Sequence, residues 1–276
     1  MRLAISNIAW DVSEDDSVAV LLRNYGINAI DIAPGKYFPR PQDATDEEIL
    51  KVKQYWSERG IAITGMQALL FGTTGLNVFG SLTSQEAMLK HLGAVCRIAG
   101  VLGATRLVFG SPKNRDRSGL SDEEALSKAV VFFRRLGDQA AAEGVVLCLE
   151  PNPASYGANF MMTSDETAKV VEAVGHQAIR MQLDTGAITS NQEDAYMVVA
   201  TCAKLISHVH ASEPGLAPLG DRGTDHCAFA LALAQHLPDA IVSIEMVATQ
   251  DEPHLRSIER ALKVAVRHYR GQGRES

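Results

Sequence analysis

The sequence predicts an α/β fold, a single (β/α)8 barrel closed by a parallel sheet. Three observations predict it. Short runs of consecutive apolar residues recur eight times along the 276 residues. A longer helical pattern follows each run, opening on a polar cap and in several cases closing on glycine. The first run lacks the glycine-rich turn with which a doubly wound sheet usually begins.

The apolar runs lie at residues 3–8, 27–32, 61–66, 105–109, 145–149, 179–183, 205–209 and 241–244. They are apolar on successive rather than alternate positions, as a strand covered on both faces requires. The helices between them announce their starts. Ser13 stands before Glu14, Asp15 and Asp16. Thr45 with Glu48, Thr83 with Glu86, Ser121 with Glu124 and Thr163 with Glu166 form four S/T-x-x-E capping boxes, in which hydroxyl and carboxylate satisfy free backbone amides reciprocally. Early acidic residues also suit the positive end of the helix dipole. Gly26, Gly60, Gly144 and Gly175 stand where helices end on a left-handed residue. The eighth helix runs from about 253 to 269. Eight such units fit a closed (β/α)8 TIM barrel. Length that would allow two domains of ~150 residues is therefore spent on one, at residues 1–270. Residues 271–276 read as a frayed tail.

Composition narrows the function classes. Lys+Arg total 26 against 33 Asp+Glu, a formal charge of −7, with 46% hydrophobic and 21% charged residues. This is a soluble, globular composition, with enough apolar surface to offset chain entropy. The acidic balance argues against a nucleic-acid partner, since a phosphate backbone selects basic faces. No stretch approaches the ~18 apolar residues of a membrane span. The N-terminus has neither a long apolar region nor a small-residue cleavage site, so a cytoplasmic location is expected. Cys96, Cys148, Cys202 and Cys227 form no CxxC motif and are expected as reduced thiols.

In a barrel, chemistry sits at the C-terminal ends of the strands. The last four strands end in Glu150, Asp184, His210 and Glu245. Three carboxylates gathered at one mouth would repel one another and resist ionising, a conflict that a divalent cation removes. One imidazole and three carboxylates are mainly hard oxygen ligands. Mn²⁺ is therefore the expected cofactor, with Mg²⁺, Co²⁺, Fe²⁺ and Zn²⁺ as alternatives. Ordinary strand-end charges paired with neighbouring cations would explain any one of the four, but poorly all four on consecutive strands. His210, nearer the mouth, is the expected ligand. His208 is assigned to the opposite face of its strand as a hydrogen-bonded structural histidine.

These four residues, spaced 34, 26 and 35 apart, make the chain resemble the sugar isomerase/epimerase group of xylose isomerase-like TIM barrels. That group includes D-tagatose 3-epimerase-type ketose epimerases, hydroxypyruvate isomerase and inosose dehydratase relatives. The resemblance covers roughly residues 1–270. It implies that Glu150 and Glu245 both ligate the metal and exchange protons with substrate from opposite faces, while Asp184 and His210 are ligands only. Two positions depart from the epimerases. Ala187 stands where they carry a substrate-contacting histidine, and Tyr156 where they often carry an acidic residue. Endonuclease IV shares the barrel but needs many zinc-binding histidines. Gln67, Gly110 and Ala187 occupy such places here, and the Asp225-His226 pair lacks the one-residue gap of its motif.

The expected reaction is proton abstraction next to a carbonyl, passing through an enediolate, on a small polyhydroxylated substrate. Return of the proton gives epimerisation or aldose–ketose isomerisation. Loss of hydroxide instead gives an inosose-type dehydratase, and a metal- or sugar-binding barrel without turnover is the further alternative. Gln67, Asn152, Glu213 and His226 are candidate substrate or outer-layer contacts, and Trp10 a candidate apolar wall. Lys36, Arg40, Lys113, Arg115, Arg117 and Arg222 lie in loops around the mouth as candidate anion binders. The apolar, glycine-rich loop 69–82 suits either a lid or a subunit contact, which leaves a homo-oligomer open.

Overall fold

In a computed structural model, which describes residues 1–270, eight parallel strands close into a barrel in sequence order. They are β1 (Arg2–Ser6), β2 (Ala29–Ile32), β3 (Ala62–Met66), β4 (Arg106–Phe109), β5 (Val146–Leu149), β6 (Ile179–Asp184), β7 (Ile206–Ser212) and β8 (Ile241–Glu245). Each predicted run overlaps a strand. β1 pairs with β8 through Arg2–Ile5 against Ile241–Ile244, which seals the ring. The expected tail at 271–276 lies outside the described residues.

The helices are α1 (Asp15–Asn24), α2 (Asp46–Glu58), α3 (Leu82–Leu102), α4 (Asp122–Ala142), α5 (Ser164–Val174), α6 (Thr185–Ser190), α7 (Ala195–Cys202), α8 (His226–His236) and α9 (His254–Ala265), the last running into a π-turn at Val266–Arg270. The short α6 is an addition to the eight helices expected. It exists because Asp184, the last residue of β6, caps it at once by accepting from the Ala187 N–H at 2.6 Å. No described helix is long and apolar enough to cross a membrane.

The capping boxes are borne out unevenly. Thr45/Glu48 and Ser121/Glu124 close in both directions. Thr163 accepts from the Glu166 N–H, but Glu166 reaches past it to the Met162 N–H. Thr83 caps nothing. The extended residue before α3 is Ser81, whose hydroxyl takes the Ser84 N–H, and Glu86 pairs with Arg135 across to α4. α1 likewise starts after a turn closed by Asp11 and Glu14 and not by Ser13.

The shell between strands and helices is aromatic and aliphatic. Phe133 stacks edge-on against Phe109 of β4 and Phe132. Cys96, Cys148 and Cys202 are buried and Cys227 is exposed, all four free. Burial pushes the Cys96 and Cys148 thiols up to about 12, so both stay protonated and inert.

Thr45→Ala removes one of the two complete boxes without touching the core. Denaturant unfolding is expected to lose about 1 kcal/mol at unchanged m.

Candidate metal centre

β5, β6, β7 and β8 deliver Glu150, Asp184, His210 and Glu245 to one point. One donor atom from each lies within 4.8 Å of the others. His210 Nδ1 is 3.2 Å from Glu150 Oε1, 3.2 Å from Glu245 Oε2 and 4.0 Å from Asp184 Oδ2. His210 is fully buried, and the three carboxylates show only an edge to a cavity of about 520 Å³ at the mouth. Donors ~2.1 Å from one ion and at right angles to each other lie about 3 Å apart. Glu150 Oε1 is buried without a hydrogen-bond partner. The spacing, the hard donor set and this unpartnered oxygen all fit a divalent cation.

Glu150 and Glu245 each keep one oxygen for the centre and tie the other down, whereas both oxygens of Asp184 accept hydrogen bonds. Gln67 Nε2 donates to Glu245 Oε1 at 2.7 Å. Asn152 Nδ2 donates to Glu150 Oε2 at 3.3 Å. Asp184 Oδ1 accepts from the α6 backbone, and Ser212 Oγ donates to Oδ2 at 2.6 Å. Glu150 lies so close to the end of β4 that a Cβ on Gly110 would collide with its Oε2. Glycine is required there by close approach, not by an unusual φ.

Arg115, from the loop after β4, supports this arrangement. Its guanidinium is fully buried, donating to the Glu150 carbonyl and to Asn152 Oδ1, both at 2.7 Å. Burial pulls its pKa down to about 10 against the pull of Glu150, so it remains a cation. A dication would bring the local sum of three carboxylates and Arg115 to neutrality.

The electrostatics without a cation are strained. Burial, then Glu245 and Glu150, push the Asp184 carboxyl well above its usual range. Burial opposes a charge on His210, but Glu245 and Glu150 outweigh it and raise the imidazole pKa well above its ordinary value. Burial raises Glu245 too, yet His210 beside it holds this carboxyl below the ordinary value. The metal-free cluster thus keeps extra protons, which a bound cation would displace.

Beyond the four donors, Gln67 and Asn152 line the cavity as the sequence suggests, and so does Tyr156. Trp10, Glu213 and His226 do not. Trp10 is buried against Trp56 and donates to Asp15 Oδ1 at 2.7 Å. Glu213 accepts from the Gly220 and Thr224 N–H groups and from His226 Nε2, while His226 Nδ1 meets Tyr269 Oη at 2.7 Å. That trio staples the loop after β7 to the C-terminal turn. The apolar walls are instead Leu69, Leu70 and Phe71 of the loop after β3, with Leu216 and Val247. Phe71 stands 83% exposed at the rim. The loop's apolar character was the available signal for these walls. Of the six loop cations only Lys113 lines the cavity. Lys36 donates to the Asn7 and Trp10 carbonyls, Arg40 pairs with Asp43, Arg117 pairs with Asp122, and Arg222 is exposed.

His208 corrects the expectation that it faces the helices. Residues two apart on a strand share a face. His208 therefore points inward below His210, with the rings edge-on at 5.1 Å. Its Nε2 meets Asp31 Oδ2 at 2.9 Å. Burial raises the Asp31 carboxyl, but His208 more than offsets this and holds it below the usual range.

A family model described as xylose isomerase-like TIM barrel matches residues 20–268. No curated protein matches the chain. Among solved structures, D-psicose 3-epimerase with D-tagatose from Clostridium cellulolyticum H10 is 17% identical, with TM-score 0.81, covering 98% of this chain and 99% of that one. 3-Keto-D-glucoside 4-epimerase from E. coli is 16% identical, with TM-score 0.77, covering 95% and 99%. The IOLI protein with a bound zinc atom is 16% identical, with TM-score 0.76, covering all of both chains. At these identities the likeness is one of fold.

Asp184→Asn removes the most strained charge while its amide can still serve both hydrogen-bond partners. In EDTA at pH 7 its stability is expected to rise by ~1 kcal/mol, roughly 2–3 °C in Tm. The gain should shrink as pH falls, because a carboxyl raised in the folded state costs stability only where it is ionised. Melting curves at pH 5 and 7, with and without Mn²⁺, check this. Mn²⁺ at 100 times its Kd should stabilise the unsubstituted chain by about 2.7 kcal/mol, and Asp184→Asn far less.

Proposed function

This chain belongs to the xylose isomerase-like TIM barrel family, and on that premise we propose that it is a divalent-metal-dependent isomerase or epimerase of a small polyhydroxylated carbonyl compound. The observation that carries this reading is the pair Glu150 and Glu245. They come from β5 and β8, stand at 3.2 Å from the same imidazole nitrogen and open on one cavity. The sugar epimerases among the structures of like fold support the substrate class. The zinc in a third supports a metal in this barrel.

Glu150, Asp184, His210 and Glu245 would hold the ion, with Mn²⁺ favoured by the oxygen-rich donor set. When bound, such an ion supplies Lewis-acid stabilisation of the negative charge that develops on a substrate oxygen. The chain's own residues do the rest. Glu150, its carboxylate oriented by Asn152, takes the carbon-bound proton. Glu245, oriented by Gln67, returns one. Delivery to the same carbon gives epimerisation, and delivery to its neighbour gives isomerisation. Leu69, Leu70, Leu216 and Val247 border the reacting carbon and limit water, which would otherwise solvate the carboxylates and dull their basicity. Ala187, within α6, is buried and offers no hydrogen-bonding side chain. Recognition of substrate hydroxyls therefore rests on Gln67, Asn152, Tyr156 and Lys113.

The test is exchange of carbon-bound hydrogen for solvent deuterium in a panel of ketoses, inososes and keto-acids with Mn²⁺ present. At least one member should incorporate deuterium. Glu150→Gln and Glu245→Gln, loaded with metal, should each slow that exchange by about 10²–10⁴-fold. Turnover at the unsubstituted rate by either variant overturns the assignment. Loss of hydroxide from an inosose would move the reading to a dehydratase.

A further inference from the structure

Beneath the four donors the barrel interior holds a second polar layer that the proposed reaction does not use. Asp31 on β2 and His208 on β7 are 1% and 3% exposed. They come from strands three places apart in the ring, so their 2.9 Å contact spans the interior. The pair is built in. Thr64 Oγ1 donates to Asp31 Oδ1 at 3.0 Å. Gly65 leaves room for that carboxylate, since a Cβ there would stand 2.6 Å from Oδ1. Gln182, with its amide oriented to suit both neighbours, donates to the His208 carbonyl at 3.2 Å and accepts the His210 N–H at 3.1 Å.

A ring nitrogen of His210 lies with the Asp31 and His208 donors inside 4.8 Å, and His210 Nε2 is buried with no hydrogen-bond partner. A histidine that offers Nδ1 to a cation must carry its proton on Nε2. That N–H then faces the interior, where the charge available to it is Asp31. Histidine ligands commonly depend on such an outer carboxylate for tautomer, ring orientation and basicity. Here the carboxylate meets His208 directly, and His210 shares the cluster with both.

We infer that Asp31 and His208 are positioning residues for the metal centre, with Asp31 supplying the negative charge that draws the His210 proton to Nε2 and His208 holding that carboxylate in place, so that His210 offers Nδ1 to the ion. The inference rests on the metal-dependent reading above. Neither residue touches the cavity, so their effect is on cation affinity before any substrate is bound.

The experiment titrates Mn²⁺ into metal-stripped protein and follows free Mn²⁺ by EPR, with melting in EDTA as a check on folding. Asp31→Asn keeps the shape and removes the charge. Its Kd for Mn²⁺ should rise about 10–100-fold while its metal-free melting stays near that of the unsubstituted chain. His208→Leu should show the same rise. His208→Gln, which keeps an N–H for Asp31 Oδ2, should recover most of the affinity, to within about 3-fold. An unchanged Kd in Asp31→Asn, or His208→Gln no better than His208→Leu, overturns the inference and leaves the metal centre standing. Two ions per chain would also overturn it, because the lower cluster would then be a ligand set in its own right. An unsubstituted chain that binds no Mn²⁺, Mg²⁺, Co²⁺ or Zn²⁺ overturns the metal-dependent reading and this inference with it.

Discussion

Three buried carboxylates meeting at one imidazole is the constraint around which this barrel is organised. Like charges a few ångströms apart in a low-dielectric site are costly, and no relaxation of loops can separate them. Each is attached to the end of a strand whose register is locked to its neighbours. Asp184 pairs with His210 and Glu245 with Ser212 across adjacent strands. The cost must be met by protons or by a cation. A dication does so with the donors already in place, whereas protons leave Asp184 and His210 in perturbed states.

The surroundings make sense as consequences. Gln67, Asn152 and Ser212 each hold one oxygen of one carboxylate, which fixes the direction of the other lone pairs. Arg115 is tied to the Glu150 carbonyl and to Asn152, so the chain following β5 cannot drift. α6 begins on Asp184 itself, which spends one carboxylate oxygen as a helix cap and is thereby held rigid. Pre-organisation of this kind keeps donors within fractions of an ångström of their working positions.

The same logic separates residues that looked alike in the sequence. Arg115 and Lys113 are two loop cations two residues apart, yet one is a buried strut and the other a cavity wall. Glu213 and His226 look like additional donors near the strand-7 end, but they satisfy each other, two backbone amides and Tyr269. Closeness in sequence to a site does not by itself give chemistry-bearing residues a role there. What decides their role is whether their hydrogen bonds are already satisfied elsewhere, and that depends on partners as distant as the C-terminal turn.

The sequence by itself determined the eight strands, the barrel and the four donors. Parallel strands buried on both faces must be apolar throughout, and a parallel barrel must bring every strand's C-terminal end to one mouth. A polar residue ending each of four consecutive apolar runs therefore states its own location. It also held the orientation of His208, because positions two apart on a strand share a face. Only the tertiary structure decided that Asp31 meets His208 across the interior, that Arg115 is buried and that Leu69 to Phe71 wall the cavity. Those contacts join β2 to β7, the loop after β4 to β5, and the loop after β3 to the mouth. No local pattern encodes them, since they depend on how the closed ring stacks its interior layers and folds its loops across the opening.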